Sequence, residues 1–189
     1  MDITNPKDLL IKVSEILETL QIDYLITGGM AVSIWGRPRS TFDIDIVVKL
    51  KRPDINGLFK LLKEISKNGY VSEEAAQEAI KLKTEFNFND PDTGLKIDFW
   101  IMKEDGRSKI EMNRRIKIQI GKQDIYFISP EDLIIHKLIW FNETDSQRHL
   151  EDAQSVLKFS KNKIDSDYLN KSAIQLDVNN ILDRLVHQP

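Results

Sequence analysis

Apolar and polar positions along the first third of the chain change from a helical to a strand-like period. Behind Asn5-Pro6, apolar residues recur every three or four positions, which predicts a helix over about 6 to 20. The apolar run YLIT, closed by Gly28-Gly29, then predicts a strand, and MAVSIW predicts a short helix ended by Gly36. FDIDIVVKL predicts a second strand. The helical spacing of the apolar residues over 54 to 68 predicts another helix.

The remainder of the chain is first strand-like and then helical. After a predicted helix at 73 to 82, the runs KTEFNFND, GLKIDFWIM, IKIQI and IYFIS predict four strands, with turns at 90–94 and at Gly121-Lys122. From Ser129-Pro130 onward, helices are predicted at about 130 to 142 and 147 to 160, with two weaker ones to the end. The pattern predicts an α+β domain over residues 1–128 and a helical segment over 129–189, packed on it.

Composition narrows the class of protein. A chain of 189 residues with 41% hydrophobic content supports one sizeable core, and a net charge of -3 gives no general attraction for nucleic acid or anionic membranes. The cluster Lys109, Arg114, Arg115 and Lys117 could form a local basic patch. The absence of cysteine excludes disulfides and thiolate chemistry. With no signal-like start and no apolar run of about 18 residues, we expect a soluble, cytoplasmic protein without a membrane partner.

Two aspartates interrupt the second predicted strand. Asp43 and Asp45 are two positions apart and therefore point to the same face, while Ile44 and Ile46 fill the other. Two carboxylates held this close repel each other unless a cation lies between them, and their oxygens suit Mg²⁺ or Mn²⁺. In the alternative interpretation, Asp43 is a turn residue and Asp45 lies on a solvated face.

A third aspartate favours the metal hypothesis. Asp98 lies in an otherwise apolar predicted strand, where an unpartnered carboxylate is costly. If Asp43, Asp45 and Asp98 converge on one edge, they could hold two divalent ions that clamp the attacking and leaving oxygens of a phosphoryl transfer. We therefore regard these three residues as both metal ligands and catalytic candidates.

The glycines and the loop after the short helix suggest anion binding. Gly28-Gly29 ends a strand and begins a helix, so its backbone amides can approach a phosphate, although the same pair also marks ordinary turns. Arg37, Arg39 and Thr41 lie in the loop before Asp43. One arginine could neutralise phosphate charge, or both could simply be solvated.

A lysine falls on the apolar side of the helix that begins at Pro130. Helical counting places Lys137 among Leu133, Ile134 and Leu138, where it needs a partner. Asp152, four residues after Arg148, borders the apolar stripe of the next helix, so we predict a Lys137–Asp152 pair, either structural or functional. The tryptophans Trp35, Trp100 and Trp140 are expected in the core rather than as a base-stacking platform.

The stretch LITGGMAVSIWGRPRSTFDIDIVV with the later KIDFW resembles the nucleotidyltransferase superfamily, which shares the DNA polymerase beta-like fold and includes antibiotic nucleotidyltransferases and abortive-infection toxins. The family pattern is a Gly-Ser or Gly-Gly turn, Asp-x-Asp and a later Asp, which map onto Gly28-Gly29, Asp43, Asp45 and Asp98. Gly29 stands where many members have a phosphate-binding serine. SPEDLIIHKLIW and RHLEDAQSVL extend the likeness to about residue 157.

The resemblance implies a nucleotidyltransferase fold, a mixed sheet flanked by helices, and a Mg²⁺- or Mn²⁺-dependent enzyme using two ions. It would transfer a nucleoside monophosphate from a nucleoside triphosphate such as ATP to an RNA end (tRNA), a protein or a small molecule, releasing pyrophosphate. It also implies that Lys137 reaches the nucleotide phosphates, with Asp152 orienting it. We regard Arg37, Arg39, Thr41 and Arg148 as further candidate phosphate-binding residues. In a toxin, an antitoxin protein would be a partner. The alternative is a catalytically silent nucleotide- or protein-binding member of the fold.

Overall fold

The computed structural model describes residues 5–187, and for His187 the backbone alone. Within this range the chain forms nine α-helices and seven strands. The helices are α1 (Pro6–Thr19), α2 (Gly28–Trp35), α3 (Ile55–Ile65), α4 (Glu73–Leu82), α5 (Gly106–Arg114), α6 (Pro130–Thr144), α7 (Gln147–Phe159), α8 (Ser166–Gln175) and α9 (Asn179–His187). The strands are β1 (Tyr24–Thr27), β2 (Asp43–Val48), β3 (Tyr70–Val71), β4 (Glu85–Asp90), β5 (Leu95–Ile101), β6 (Ile116–Ile120) and β7 (Gln123–Phe127).

The strands form one mixed sheet in the order β3-β4-β5-β2-β1-β7-β6. The pairs β2–β5 and β1–β7 are parallel, and the other neighbours are antiparallel. The two hairpins predicted from turn signals are confirmed, since Asp90 pairs with Leu95 and Ile120 with Gln123. The α+β class is therefore confirmed.

The chain divides into two compact units, and the division falls within α2. Of the described residues, the first unit holds 5–30 and 40–127, and the second holds 31–39 and 128–187. The predicted domains, 1–128 and 129–189, include residues outside the described range, and that division remains a prediction. No helix within residues 5–187 has both the length and the apolar character needed to cross a bilayer.

The core of the first unit follows from the alternation of its strands. On β2, Ile44, Ile46 and Val48 are fully buried, whereas the intervening positions are exposed or half-buried. On the neighbouring strands, Phe86 and Phe99 stack with ring centroids 5.0 Å apart. One face of β2 thus packs in the core, and the other carries Asp43, Asp45 and the half-buried Val47.

The second unit is helical and is tied together by buried polar contacts. The Trp35 indole N–H donates to the carbonyl oxygen of Ile128 at 2.8 Å, and the Ser160 hydroxyl donates to the carbonyl oxygen of Trp35 at 2.6 Å. Ser129 caps α6 by accepting from the Asp132 amide at 3.1 Å, which confirms the predicted N-cap. The first two contacts connect Trp35 to the residues just before α6 and just after α7.

Several predicted boundaries were wrong, and α5 and β3 were missed. Helix α2 begins at Gly28 rather than after the glycines, and α3 ends at Ile65 rather than near 68. The predominantly polar sequence of α5 has no clear apolar stripe, and the helix is stabilised locally instead. Asp105 caps it by accepting from the Ser108 amide at 2.7 Å, and an Arg107–Glu111 ion pair spans one turn at 2.7 Å.

Candidate active site

A row of polar side chains crosses β2 and β5 in the first unit. Asp45 and Asp98 are directly opposite each other in the parallel register, so both carboxylates project from the same face. Two residues earlier on each strand, Asp43 is opposite Lys96. The structure thus brings Asp98 next to Asp45, with Asp43 on the same face two residues away.

Asp98 is buried and ion-paired. Only 9% of the residue is exposed, and its carboxylate lies 2.8 Å from the Lys96 ammonium. The hydrogen bond to Asp98 is the main cause that raises the pKa of Lys96 above its usual value. Because a buried carboxylate is costly without a partner, the contact with Lys96 compensates part of the cost of burying Asp98 in an otherwise apolar strand.

Glu85 on β4 adds another carboxylate to this region. Burial raises its pKa, the charge of Asp98 raises it further, and the nearby Lys96 partly opposes that shift. The charge of Asp45 also raises it. The negative charges of Asp98 and Asp45 therefore act on the Glu85 carboxyl across this face of the sheet.

The backbone of Gly28 lies against the Asp45 carboxylate. Its φ of +60° lies in the left-handed region, and a Cβ at this position would overlap the Asp45 side chain. Gly28 is therefore required both by its backbone conformation and by this close approach. The α2 helix begins here, so its first amides are directed toward the same region.

Thr27 is a residue that the sequence did not identify. It pairs with Asp45 across β1 and β2, is 4% exposed, and its hydroxyl oxygen has no hydrogen-bond partner within the described residues. A buried hydroxyl without a partner is unusual unless a ligand or water completes it. The only sequence signal was a polar residue ending an apolar strand immediately before Gly28.

The donor set fits a hard divalent cation that is completed by a substrate. Within residues 5–187, no three His, Cys, Asp or Glu side chains are grouped as a ready-made metal cage. Mg²⁺, however, is usually bound by one or two carboxylates together with substrate phosphates. Paired Asp45 and Asp98, the Gly28 cradle and the unpartnered Thr27 oxygen suit that mode of binding.

The second unit contains a compact charged cluster, which we call the α7 carboxylate cluster: Arg39, Lys137 and Asp152. Lys137 lies 3.0 Å from the Asp152 carboxylate and is 3% exposed, which confirms the predicted pair. Arg39 donates to both oxygens of the same carboxylate, from Nε and from an Nη, each at 3.1 Å. Two cations thus share one buried acid, an arrangement in which the cationic charge exceeds the anionic.

The loop that carries Arg39 is held in place by serines. Ser33 donates its hydroxyl proton to the Arg39 carbonyl oxygen at 3.1 Å, and the Arg37 amide donates to the Ser155 hydroxyl at 2.6 Å. These contacts order the backbone, while the Arg37 side chain remains exposed. The phosphate-binding role of the Arg37 side chain therefore remains a prediction.

The other predicted phosphate ligands have different surroundings. Arg148 at the start of α7 is exposed. Thr41, in the first unit, donates its hydroxyl proton to the Asp43 carbonyl oxygen at 3.1 Å and so orders the entry to β2. Their phosphate-binding roles remain predictions.

The aromatic residues depart from the predicted core placement. Trp35 is buried, but Trp100 is 38% exposed, and on β5 it projects from the same face as Asp98. The prediction was wrong for Trp100 because an aromatic residue in a strand follows the alternation of the strand, whichever face that places it on. In the second unit, Trp140 is half-buried and contacts the His149 ring at 5.3 Å between centroids.

Comparisons with known proteins identify the family. The model of the family Aminoglycoside-2''-adenylyltransferase matches residues 9–145, most of the chain. No curated protein matches the chain in sequence.

Solved structures share the fold. ANT(2'')-Ia in complex with adenylyl-2''-tobramycin is similar at TM-score 0.61 and 15% identity, covering 90% of this chain and 96% of that one. The lincosamide antibiotic adenylyltransferase LnuA, lincomycin-bound, is similar at TM-score 0.54 and 11% identity, covering 82% and 98%. An antigenic nucleotidyltransferase-like protein from Paracoccidioides brasiliensis matches at TM-score 0.57 and 19% identity, covering 94% and 91%. The nucleotidyltransferase fold predicted from the sequence is confirmed.

Proposed function

The chain belongs to the Aminoglycoside-2''-adenylyltransferase family, and from this membership and the Asp45–Asp98 pair we propose that it is an antibiotic-type nucleotidyltransferase dependent on Mg²⁺ or Mn²⁺. It moves a nucleoside monophosphate, with ATP as the first donor to test, to a hydroxyl of a small molecule. The observation that carries the proposal is the register that sets Asp45 opposite Asp98 beside a glycine without room for a side chain.

The residues of the first unit supply distinct parts of the reaction. Asp45 and Asp98, with Asp43 beside them, would hold the divalent cation, which offsets negative charge developing on the transferred phosphoryl group. The backbone amides at the start of α2, beside Asp45, would bind phosphate oxygens. Lys96 holds the Asp98 carboxylate on this face by its 2.8 Å contact.

The chemical step is an in-line displacement at the α-phosphorus. The acceptor hydroxyl oxygen forms a bond to that phosphorus while the bond to the β-phosphate bridging oxygen breaks, and pyrophosphate leaves with the electron pair. The proton of the hydroxyl passes to the Asp98 carboxylate, which lies opposite Asp45 on the same face of the sheet. Asp98 therefore serves as ligand and general base in this proposal.

The α7 carboxylate cluster is proposed to bind phosphate. Its excess cationic charge and the fork of Arg39 suit a phosphate oxygen, and Lys137 can release part of its contact with Asp152 to reach one. Lys137→Met should therefore weaken nucleotide binding more than it weakens acceptor binding. Equal effects on both affinities would contradict this role.

A transfer assay tests the proposal. Each labelled nucleoside triphosphate is incubated with the protein, Mg²⁺ and one acceptor: tobramycin, lincomycin or pooled tRNA. We expect label on a small molecule, and we expect Asp45→Asn to lower the rate by roughly 10³-fold, the scale of single charge-stabilising groups in phosphoryl transfer. Asp124→Asn, which removes an exposed carboxylate 3.5 Å from Lys117, is the matched control and should leave the rate within about twofold.

Other outcomes point to the remaining hypotheses. Label on tRNA or on the protein itself would favour an RNA-end or protein acceptor and reopen the toxin interpretation, in which an antitoxin partner is expected. No transfer together with no Mg²⁺-dependent nucleotide binding would favour the catalytically silent member. Retained transfer in Asp45→Asn would contradict the assigned site.

A further inference from the structure

One base lies among several acids on the face of the sheet that carries Asp45. Across β1, β2, β5 and β4, residues paired in register project from the same side of the sheet. The charged residues that these four strands place on this side are Asp43, Asp45, Glu85, Lys96 and Asp98. Among the residues of these four strands on this side, Lys96 is therefore the only cation.

Lys96 lies next to two of these acids. It is opposite Asp43 in the β2–β5 register, and its ammonium contacts the Asp98 Oδ1 atom at 2.8 Å. The Lys96 side chain is 39% exposed, so its ammonium remains accessible to a ligand. A ligand that approaches the carboxylate of Asp43 or Asp98 therefore also meets this positive charge.

The charge of Lys96 opposes the binding of a bare divalent cation. It neutralises part of the carboxylate charge that would attract Mg²⁺ or Mn²⁺, and it repels a cation bound to the neighbouring oxygens. The repulsion between a unit charge and a divalent ion about 5 Å apart corresponds to a loss of affinity of about tenfold in a water-like dielectric. Lys96 thus weakens the binding of free metal.

The same charge favours a metal ion that arrives with a nucleoside triphosphate. The complex of one divalent ion with a triphosphate is net negative, so the four acids of this face repel it and Lys96 attracts it. The amides at the start of α2 attract the phosphates as well, but they act equally whether or not Lys96 is charged. The charge of Lys96 therefore has opposite effects on the two ligands.

We propose that Lys96 determines specificity by making the site select the metal–nucleotide complex over the free metal ion. The proposal rests on the proposed function for the identity of the nucleotide, and it adds an order of binding in which the metal enters with the triphosphate. A lysine that only offset the burial of Asp98 would not shift the two affinities in opposite directions.

Lys96→Gln tests this role, because an amide can still donate to Asp98 while the positive charge is lost. Binding of Mn²⁺ to the nucleotide-free protein is followed by the electron paramagnetic resonance of the unbound ion. Binding of the Mg²⁺ complex of a non-hydrolysable ATP analogue is measured by calorimetry. At low salt we expect the Mn²⁺ affinity to rise by about tenfold and the affinity for the complex to fall by about fivefold.

Two variants serve as controls for charge and for position. Lys96→Arg keeps the positive charge, so both affinities should stay within about twofold of those of the unmodified protein. Lys117→Met removes an exposed lysine of the same unit, 3.5 Å from Asp124, and should also leave both affinities within about twofold.

A charge-gain variant gives a measurement that does not depend on the folding of Lys96→Gln. Asn87 is exposed and lies opposite Asp98 on β4, so Asn87→Lys adds a second ammonium to this face without removing a buried contact. The Mn²⁺ affinity should fall by about fivefold, and the affinity for the metal–nucleotide complex should rise by about threefold.

Several results would overturn the inference and leave the proposed function standing. These are unchanged affinities in Lys96→Gln or in Asn87→Lys, or a shift of both affinities in the same direction in either variant. Failure of the proposed function has a different signature, because the unmodified protein would then show no Mg²⁺-dependent nucleotide binding.

Discussion

The acidic side chains of the two units have opposite electrostatic surroundings. On the β2–β5 face, Asp43, Asp45 and Asp98 share a region in which Lys96 contacts Asp98 at 2.8 Å. In the α7 carboxylate cluster, a single acid is contacted by two cations, at 3.0 and 3.1 Å. One region has an excess of negative charge and the other an excess of positive charge.

This difference teaches what each region requires of a ligand. The acidic face gains most from a cation, while the α7 carboxylate cluster gains most from an anion such as phosphate. The acid of the cluster is also needed by the fold, because Lys137 is 3% exposed and has little access to water. Mutations should therefore separate stability from activity differently in the two regions.

The largest stability effect is expected from Asp152→Asn. Removing this charge leaves buried Lys137 and half-buried Arg39 without their shared counter-ion, so the free energy of unfolding should fall by about 3 kcal/mol. Lys137→Met should cost less, about 1 kcal/mol, because Arg39 still neutralises Asp152. Urea denaturation of the variants measures both effects.

A surface ion pair is the matched control for this comparison. Glu15→Gln breaks the Lys12–Glu15 pair, 2.8 Å long and partly exposed, and should change the free energy of unfolding by less than about 0.5 kcal/mol. If Asp152→Asn is as mild as Glu15→Gln, then the cluster is not the buried structural element described above, and the contrast between the two units fails.

Local features of the fold could be predicted from the sequence, because they depend on residues close in the chain. The β4–β5 hairpin was identified by the turn at 90–94 between two strand-like runs, and the α6 N-cap by Ser129-Pro130. Helix α5 was missed because its stability comes from a cap and an ion pair rather than from an apolar stripe.

The site could be predicted in residue type but not in register. Asp98 was identified as a carboxylate in an apolar strand, yet its position opposite Asp45 depends on a parallel pairing between strands about 50 residues apart, which no local signal determines. The Lys96 contact, the Thr27 hydroxyl left without a partner among residues 5–187, and the bond from Arg39 to Asp152 likewise depend on tertiary placement.

An intermediate effect is expected from Gly28→Ala in the first unit. The substitution forces a side chain into a φ of +60° and against the Asp45 carboxylate, so we expect a loss of about 2 kcal/mol in unfolding free energy and a loss of transfer. Gly121→Ala is the control, because its φ of +66° is similar while no atom of the described residues lies within 4 Å of the added Cβ.

The difference between these glycine variants isolates the contact with Asp45. Gly121→Ala should cost about 1 kcal/mol from backbone conformation alone and leave transfer intact. Equal losses of stability in the two variants, measured by urea denaturation, would show that the close approach of Gly28 to Asp45 contributes nothing beyond its φ.

The smallest effect concerns the pH dependence of the second unit. Burial lowers the pKa of His149 below 6.5, and the charge of Lys137 lowers it further, opposed by Asp152. Its folded-state pKa is therefore below the unfolded value, so the contribution to stability is complete above pH 6.5 and is lost as pH falls below it.

We expect the free energy of unfolding at pH 5.5 to drop relative to pH 7.5 by less in His149→Gln than in the unmodified protein. His136→Gln controls for loss of an imidazole near Trp140. An identical pH dependence in His149→Gln and the unmodified protein, measured by urea denaturation, would show that burial and the neighbouring charges do not lower the pKa of this ring on folding.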